Sequence, residues 1–347
     1  MIERDPLSGK LPITLITGFL GSGKTTLIAN LLRHPGMNRA AVIINEVGEI
    51  GIDHDLVSNV NENMSLLANG CICCSVRTDL QDSLRELFNE RRSGHIPQFD
   101  RVVIETTGLA DPAPVVQTLV SDTLINAHFR LDGLVTLVDA YHGFDLLQRQ
   151  PEAIKQAAMA DRLFITKTDL VSSDQLQDLT NELRALNPQA DIYPVVHGDL
   201  DPSLLTGLGL KTAHVGEHTL SFLGESLAVP SAELNHAEGK YLGSRPSRHD
   251  PAIRTLSVRF QQPFKWTSFS SAMEMLTTLR GPDMLRVKGI VNVDGHPVVV
   301  QGVQHIFSPP VELSHWPSPD HDTRLVFITR NIAPETIRQL LSAVAAL

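Results

Sequence analysis

Short apolar segments alternate with amphipathic segments from about Leu11 to Val196. The apolar segments are rich in Val, Ile and Leu and lack strict alternation, which is typical of parallel strands buried on both faces. They predict strands over Pro12–Thr17, Ala40–Ile44, Asp100–Ile104, Gly133–Val138, Leu163–Thr166 and Ile192–Val196. The amphipathic segments predict helices over Lys24–Arg33, Arg77–Arg92, Ala113–Val120 and Ser173–Leu186. This alternation of strand and helix predicts a doubly wound α/β sheet.

Two of these helices carry a recognisable start signal. Asp111 precedes Pro112, which places a capping side chain before a first-turn proline. Ser172 or Ser173 can cap the helix that ends at Leu186. We therefore expect local sequence to fix both helix starts.

The pattern changes in the second part of the chain. Between about Gly207 and Pro251 it gives way to Gly, Ser, Pro and scattered His, which indicates a linker. After the linker, the order of predicted elements is β-α-β-β-β-α: Ala252–Phe260, Trp266–Leu279, Met284–Asn292, Pro297–Val303, Arg324–Thr329 and Pro334–Ala345. A hairpin is expected to turn at Asp294-Gly295. We expect an α/β domain over 1–206, a linker over 207–251, and a smaller α+β domain with an antiparallel sheet over 252–347.

Composition and charge narrow the function classes. The 347 residues include 42% hydrophobic and 20% charged ones, as is ordinary for a folded chain of two domains. The net charge of −10 argues against nucleic acid and anionic membrane as partners. No apolar run approaches the ~18 residues that would span a bilayer. The first residues lack the apolar stretch of a signal peptide, so a cytoplasmic location is expected.

The strongest chemical signal is the segment from Gly18 to Thr25, with the sequence GFLGSGKT. It fits the pattern GxxxxGK[ST] and lies between a predicted strand and a predicted helix, which is the context that this motif requires. Its glycines allow consecutive backbone N–H groups to surround a β-phosphate at a helix N-terminus. Lys24 is expected to neutralise the β- and γ-phosphate oxygens, and the Thr25 hydroxyl to hold Mg²⁺.

A second loop, Glu105-Thr-Thr-Gly108, follows the predicted strand that ends at Ile104. Glu105 can orient Mg²⁺ through a water molecule, and Gly108 can offer its N–H to the γ-phosphate; a solvated loop carboxylate is the alternative. The next residue is Leu109, so no side chain at that position can orient the attacking water. Slow intrinsic hydrolysis is therefore expected.

A third loop, Thr166-Lys167-Thr168-Asp169, closes another predicted strand. The Asp169 carboxylate would accept hydrogen bonds from guanine N1–H and the 2-amino group, and adenine has neither donor. The aliphatic stem of Lys167 would cover the base. The loop therefore predicts a preference for GTP over ATP, although Thr and Asp also suit a simple turn at a strand end.

All three cysteines of the chain, Cys71, Cys73 and Cys74, lie within four residues. Such closely spaced thiols do not form a disulfide framework, and thiolates bind Zn²⁺ or Cu(I) well. Three thiols cannot make a closed four-cysteine site, so a carboxylate, a His, water or a client protein would complete the ligand set. Inert buried thiols and a redox switch remain as alternatives.

Other candidate ligands lie before and after the cysteines. Glu46 and Glu49 follow the second predicted strand and could reach the nucleotide Mg²⁺, supply oxygen ligands to a second metal, or simply be solvated. The histidines of the predicted linker could hand metal over, but isolated histidines in a polar segment usually have no such role; they are His214, His218, His236 and His249.

With GFLGSGKT, NEVGE, GCICC, ETTG and TKTD in this order, the chain resembles the CobW-type family of G3E GTPases, which includes zinc-regulated metallochaperones. The resemblance covers about residues 12–200 closely and about 252–345 more loosely, as the family's C-terminal domain. It implies a P-loop NTPase fold, Glu105 as the Walker-B-type carboxylate, guanine recognition by Lys167 and Asp169, and a metal motif at the three cysteines. It also implies GTP and Mg²⁺ binding by Gly21, Ser22, Gly23, Lys24, Thr25 and Thr26.

Two departures from the family pattern matter. Thr166 stands where many GTPases carry Asn, which removes an amide that could brace the base and leaves guanine preference to Asp169. The linker lacks the dense His-rich tract of some members, which argues against bulk metal storage.

The interpretation is a Mg²⁺-dependent GTPase that loads or releases a transition metal for a client metalloprotein. Zinc is the first expectation, with Co²⁺ or another transition metal as the alternative. A regulatory GTPase switch that senses metal or redox state without delivering metal is a second interpretation, and a P-loop kinase for a small molecule is a third. A homodimer that depends on nucleotide or metal is also left open.

Overall fold

The computed structural model describes residues 9–44, 57–61, 64–67, 72–75, 80–205, 207–208 and 252–346, the three short ranges by their backbone only. The described residues fall into two compact units. The first lies within Met1–Leu146, Glu152–Leu179 and Asp191–Lys211, and the second within Leu147–Pro151, Thr180–Ala190 and Thr212–Leu347. No helix in the described ranges has both the length and the hydrophobicity to cross a membrane.

The first part of the chain alternates strands and helices. The strands are β1 (Leu11–Gly18), β2 (Ala40–Ile44), β3 (Val57–Asn61), β4 (Met64–Leu67), β5 (Ile72–Ser75), β6 (Arg101–Glu105), β7 (Phe129–Asp139), β8 (Arg162–Thr166) and β9 (Asp191–Val195). The helices are α1 (Lys24–Arg33), α2 (Leu80–Ser93), α3 (Pro112–Ser121), α4 (Thr123–His128), α5 (Gly143–Arg149), α6 (Pro151–Met159) and α7 (Ser173–Leu186).

Among the described residues, these strands form one nine-stranded sheet in the order β3-β4-β5-β2-β6-β1-β7-β8-β9. In this spatial order, every neighbouring pair from β5 through β2, β6, β1, β7 and β8 to β9 is parallel. The strands β3 and β4 add an antiparallel edge next to β5. All five residues of β2 are buried, as expected of a strand that is covered on both faces. Because all parallel strands end at the same edge, the loops after β1, β6, β7 and β8 meet there.

The sequence predicted most of this architecture. The doubly wound, mostly parallel α/β sheet is confirmed, and α1 and α7 have the predicted bounds. Both predicted caps are present: Asp111 accepts a hydrogen bond from the Ala113 N–H at 3.0 Å, and Ser172 accepts one from the Gln175 N–H at 3.3 Å. The predicted helix Arg77–Arg92 is described only from Leu80 onward.

Six elements of the first part were not predicted. The strands β3, β4 and β5 have the sequences VSNVN, MSLL and ICCS, which lack the continuous apolar run of β2, and α4 has only six residues. The helices α5 and α6 are short, with seven and nine residues, and are separated by a single residue, Gln150.

The second unit contains an antiparallel sheet and two helices. Its elements are β10 (Ile253–Phe260), α8 (Trp266–Arg280), β11 (Met284–Val293), β12 (His296–Val303), β13 (Ile306–Phe307), β14 (Val311–Glu312), β15 (Thr323–Arg330) and α9 (Pro334–Ala345). The strand order is β10-β15-β11-β12-β13, with β14 paired to β12. This confirms the predicted α+β architecture and the hairpin at Asp294-Gly295, and the two-residue strands β13 and β14 are additions. The predicted linker lies almost wholly outside the described residues.

Candidate nucleotide-binding site

The P-loop connects β1 to α1 and depends on its glycines. Gly18 has a φ of 145°, and a Cβ atom there would lie 2.5 Å from the carbonyl oxygen of Leu137 in β7. Gly23 has a φ of 90° and forms the left-handed N-cap of α1. Gly21 also has a positive φ, of 75°. The loop therefore needs glycine at these positions, because side chains would strain the backbone or strike the sheet.

Lys24 and Ser22 place polar groups inside this loop. The Lys24 ammonium lies 3.0 Å from the carbonyl oxygen of Gly18 and 3.4 Å from that of Phe19, and the residue is only 5% exposed. The Ser22 hydroxyl is buried and has no hydrogen-bond partner among the described residues. A buried cation and an orphaned hydroxyl at a helix N-terminus fit the oxygens of a phosphate group.

The ETTG loop lies directly against the P-loop. Glu105 ends β6, is 1% exposed, and is paired in the sheet with Ile16 of β1. The Thr106 hydroxyl donates to the Thr17 hydroxyl at 2.9 Å. A Cβ atom on Gly108 would lie 2.8 Å from the backbone nitrogen of Leu20 in the P-loop. Only glycine therefore fits at this close approach of the two loops.

The TKTD loop is also tied to the P-loop. The Thr166 hydroxyl donates to the Ser22 carbonyl oxygen at 2.8 Å. Threonine at this position therefore braces the P-loop, although it lacks the amide that many GTPases carry. Lys167 is half-buried in a left-handed conformation, with a φ of 56°, and Asp169 is exposed in a short 3₁₀ turn.

Two features at the carboxyl-terminal edge of the sheet were not identified from the sequence. Asp139, the last residue of β7, is buried and lies 2.6 Å from the Lys167 ammonium. The residues after β9 contact α1: the Asn30 amide donates to the carbonyl oxygen of His197 at 2.6 Å, and a Cβ atom on Gly198 would lie 3.1 Å from the backbone of Leu27. Their position at the carboxyl ends of two predicted strands was the signal that could have identified them.

The candidate metal ligands are described only in part. Glu46, Glu49 and Cys71 lie outside the described residues, and the backbone alone places Cys73 and Cys74 on β5. There they pair with Val42 and Ile43 of β2. The side chains that the structure describes contain no group of three or more His, Cys, Asp or Glu that could hold a metal ion. The cysteine motif therefore stays a prediction.

Fold and site together define an α/β P-loop nucleotide-binding protein. Profiles of known families then identify the chain more closely: residues 12–194 match the CobW/HypB/UreG nucleotide-binding domain, and residues 253–345 match the cobalamin synthesis protein CobW C-terminal domain. The chain belongs to this CobW/HypB/UreG family.

Individual relatives match over nearly the whole chain. It is 34% identical to the zinc chaperone YjiA of Escherichia coli over 94% of this chain and 96% of that protein. It is 30% identical to zinc-regulated GTPase metalloprotein activator 1 of Schizosaccharomyces pombe, over 97% and 84% of the two chains. The crystal structure of the Zn(II)-bound YjiA GTPase from E. coli superposes with a TM-score of 0.76 at 32% identity, covering 96% of this chain and 99% of that one.

Proposed function

We propose that this chain is a Mg²⁺-dependent GTP hydrolase that couples its nucleotide state to the delivery of a transition metal, zinc first, to a client metalloprotein. The observation that carries the proposal is the meeting of the P-loop, the ETTG loop and the TKTD loop at one sheet edge, with Thr166 bonded to Ser22. The names of the relatives, a zinc chaperone and a zinc-regulated GTPase activator, support zinc as the metal.

The phosphates would bind in the P-loop. Its main-chain N–H groups and the Lys24 ammonium supply donors and positive charge, which stabilise negative charge at a helix N-terminus. The residues involved are Gly18, Gly21, Ser22, Gly23, Lys24, Thr25 and Thr26. The base would bind at Lys167 and Asp169, where the carboxylate favours guanine because adenine offers it no donor.

Thr25 and Glu105 would hold Mg²⁺, by a hydroxyl and by a buried carboxylate at the end of β6. Both are the oxygen ligands that this ion prefers. When bound, the ion neutralises charge on the phosphate oxygens. Leu109 is 56% exposed and has no polar group with which to orient water, so we expect slow intrinsic hydrolysis.

The metal to be delivered would bind at Cys71, Cys73 and Cys74, with Glu46 and Glu49 as further candidate ligands. The backbone supports coupling between this motif and the nucleotide. Ile44 at the end of β2 pairs with both Ser75 of β5 and Glu105 of β6. Since adjacent strands lie about 4.8 Å apart, the end of β5 is about 10 Å from that of β6.

The regulatory switch that senses metal or redox state without delivery is the second candidate, because the same cysteines serve it equally well. Transfer of zinc to an apo-client protein separates the two. A nucleotide- or metal-dependent homodimer is compatible with both.

A chelator-competition titration tests the coupling. We expect zinc to bind more tightly with a non-hydrolysable GTP analogue than with GDP or without nucleotide, by about 5- to 150-fold. By linkage, zinc must tighten binding of the analogue by the same factor. Single Ser variants of Cys71, Cys73 and Cys74 should lose zinc affinity. In Lys24→Ala, added nucleotide should no longer change the affinity for zinc. Equal zinc affinity in all three nucleotide states of the wild type would contradict the delivery cycle.

A further inference from the structure

Two adjacent side chains of α6 hold the segment that follows the ETTG loop. The Gln156 amide donates to the carbonyl oxygen of Gly108 at 3.1 Å and to that of Ala110 at 2.9 Å. The Lys155 ammonium pairs with Asp111, the residue that caps α3. We call residues 108–111 the clasped segment. It is therefore bonded at both of its ends to one helix.

The Gln156 amide is built into the interior. The residue is 1% exposed, and its main-chain carbonyl oxygen accepts a hydrogen bond from the Thr136 hydroxyl of β7 at 2.8 Å, which ties α6 to the sheet. Both bonds to the clasped segment come from the amide nitrogen, while the side-chain oxygen has no partner among the described residues. A flipped amide would place this oxygen against the carbonyl oxygens of Gly108 and Ala110, so these two acceptors fix the orientation of the Gln156 amide.

The clasped segment begins at the point where the ETTG loop touches the P-loop. A Cβ atom on Gly108 would lie within 2.9 Å of both the backbone nitrogen and the Cα of Leu20. The bond from Gln156 to the Gly108 carbonyl thus holds this glycine against the P-loop. Under the proposed function, the N–H of Gly108 contacts only the γ-phosphate, which GDP lacks.

We propose that Gln156 is a positioning residue that sets the preference for GTP over GDP by holding the clasped segment against the P-loop. This inference rests on the proposed GTPase function. Apart from the contact of Lys24 with the γ-phosphate, the groups that the P-loop and the TKTD loop would bind are common to GTP and GDP. The Gln156 amide donates to Gly108 and Ala110, which belong to neither loop. Loosening the clasp therefore weakens binding of GTP while binding of GDP is kept, because a ligand shifts an equilibrium only through its differential contacts.

The test compares the full-length wild type with Gln156→Leu, which keeps a similar volume and removes both donors. We expect the dissociation constant of a non-hydrolysable GTP analogue to rise about 5- to 30-fold, as for the loss of one or two hydrogen bonds. The dissociation constant of GDP should stay within about twofold, less than the loss of one such bond. Gln117→Leu, the same change at an exposed position of α3, should alter neither constant.

Lys155→Met provides a second variant if Gln156→Leu does not fold. It releases the clasped segment at Asp111 and should also weaken the analogue selectively. An equal loss for both nucleotides, together with a lower melting temperature, would show a structural role and overturn the proposal. Unchanged binding of both nucleotides in a folded variant would overturn it as well. A wild type that binds no guanine nucleotide would remove the proposed function, and this inference with it.

Discussion

Lys167 shows how a single residue at the nucleotide edge is held in place. Its left-handed backbone costs a non-glycine residue about 1–2 kcal/mol. Its ammonium lies 2.6 Å from one oxygen of Asp139, and the other oxygen accepts the Tyr141 N–H at 2.8 Å. Because the turn after β7 fixes the carboxylate, the carboxylate can fix the lysine. The stem of Lys167 is thereby restrained where the base is expected.

We expect Asp139→Asn to weaken GDP binding by about 1–2 kcal/mol, because the lysine loses its charged partner. Lys167→Met should have a similar effect. The double variant should lose no more than either single variant, since both residues act through one ion pair. Fluorescence titration of GDP against the four proteins measures this coupling. Asp145→Asn, at an exposed position of α5, is the matched control, and additive losses would refute the coupling.

The contrast with Asp169 separates positioning from base recognition. In Asp169→Asn the amide can donate to the carbonyl at C2 of xanthine, so preference should shift from guanine to xanthine nucleotides by about 1.5–3 kcal/mol. Asp139→Asn should instead weaken binding of both bases equally. A change of base preference in Asp139→Asn would show that Asp139 acts on the base edge and not through Lys167.

At the scale of elements, α4 depends on its N-cap. The Asp122 carboxylate accepts the N–H groups of Leu124 and Ile125 at 3.0 and 2.9 Å, and Arg85 of α2 lies 2.5 Å from its other oxygen. The Ile125 N–H above all, together with Arg85, lowers the pKa of the Asp122 carboxyl from its usual value. The ionised carboxylate therefore stabilises the start of α4 and joins it to α2.

We expect Asp122→Ala to lower the melting temperature by about 2–4 °C at neutral pH. Asp122→Asn, which retains a cap but loses the ion pair, should lower it less. Since the folded pKa lies below the unfolded value of about 3.9, the stabilisation is fully present above about pH 4 and is lost as the pH falls through the folded pKa. Thermal unfolding across this range should show the difference between wild type and Ala variant narrowing; a constant difference down to about pH 2 would contradict the assignment.

At the scale of the whole molecule, neither compact unit is one continuous stretch of the chain; each consists of three separate stretches. Residues Thr180–Ala190, which include the end of α7, belong to the second unit. Within that unit, the Thr255 hydroxyl donates to the Leu186 carbonyl oxygen at 2.8 Å, and the Gln189 amide donates to the Lys288 carbonyl oxygen at 3.2 Å. The end of α7 thus shares a hydrogen bond with β10, and the segment that follows α7 shares one with β11.

We expect a chain truncated after Gly207 to bind GTP with an affinity close to that of the full chain, because the described contacts of the P-loop, ETTG and TKTD loops all lie before that residue. Its melting temperature should be lower, since the bonds to Leu186 and Gln189 are lost. Titration and thermal unfolding of the two proteins measure this. A truncated chain that fails to fold would contradict the predicted division at residues 206 and 252.

The sequence by itself determined the features that depend only on residues close to one another along the chain. Gly18, Gly23 and Lys24 identify the P-loop because a tight turn, a left-handed cap and a charge are needed within seven residues. Buried apolar runs gave the central strands, and the caps at Asp111 and Ser172 gave two helix starts, because each signal spans only a few residues.

Only the tertiary structure decided which distant residues meet. The Thr166 hydroxyl bonds to Ser22, 144 residues away, and Gln156 bonds to Gly108, 48 residues away. In the sequence, Gln156 is one polar residue in a segment for which no element was predicted, and Asp139 is one acid at the end of a predicted strand. Their roles arise because β1, β6, β7 and β8 are neighbours whose carboxyl ends share one edge, and local sequence carries no signal of which buried donor faces which acceptor.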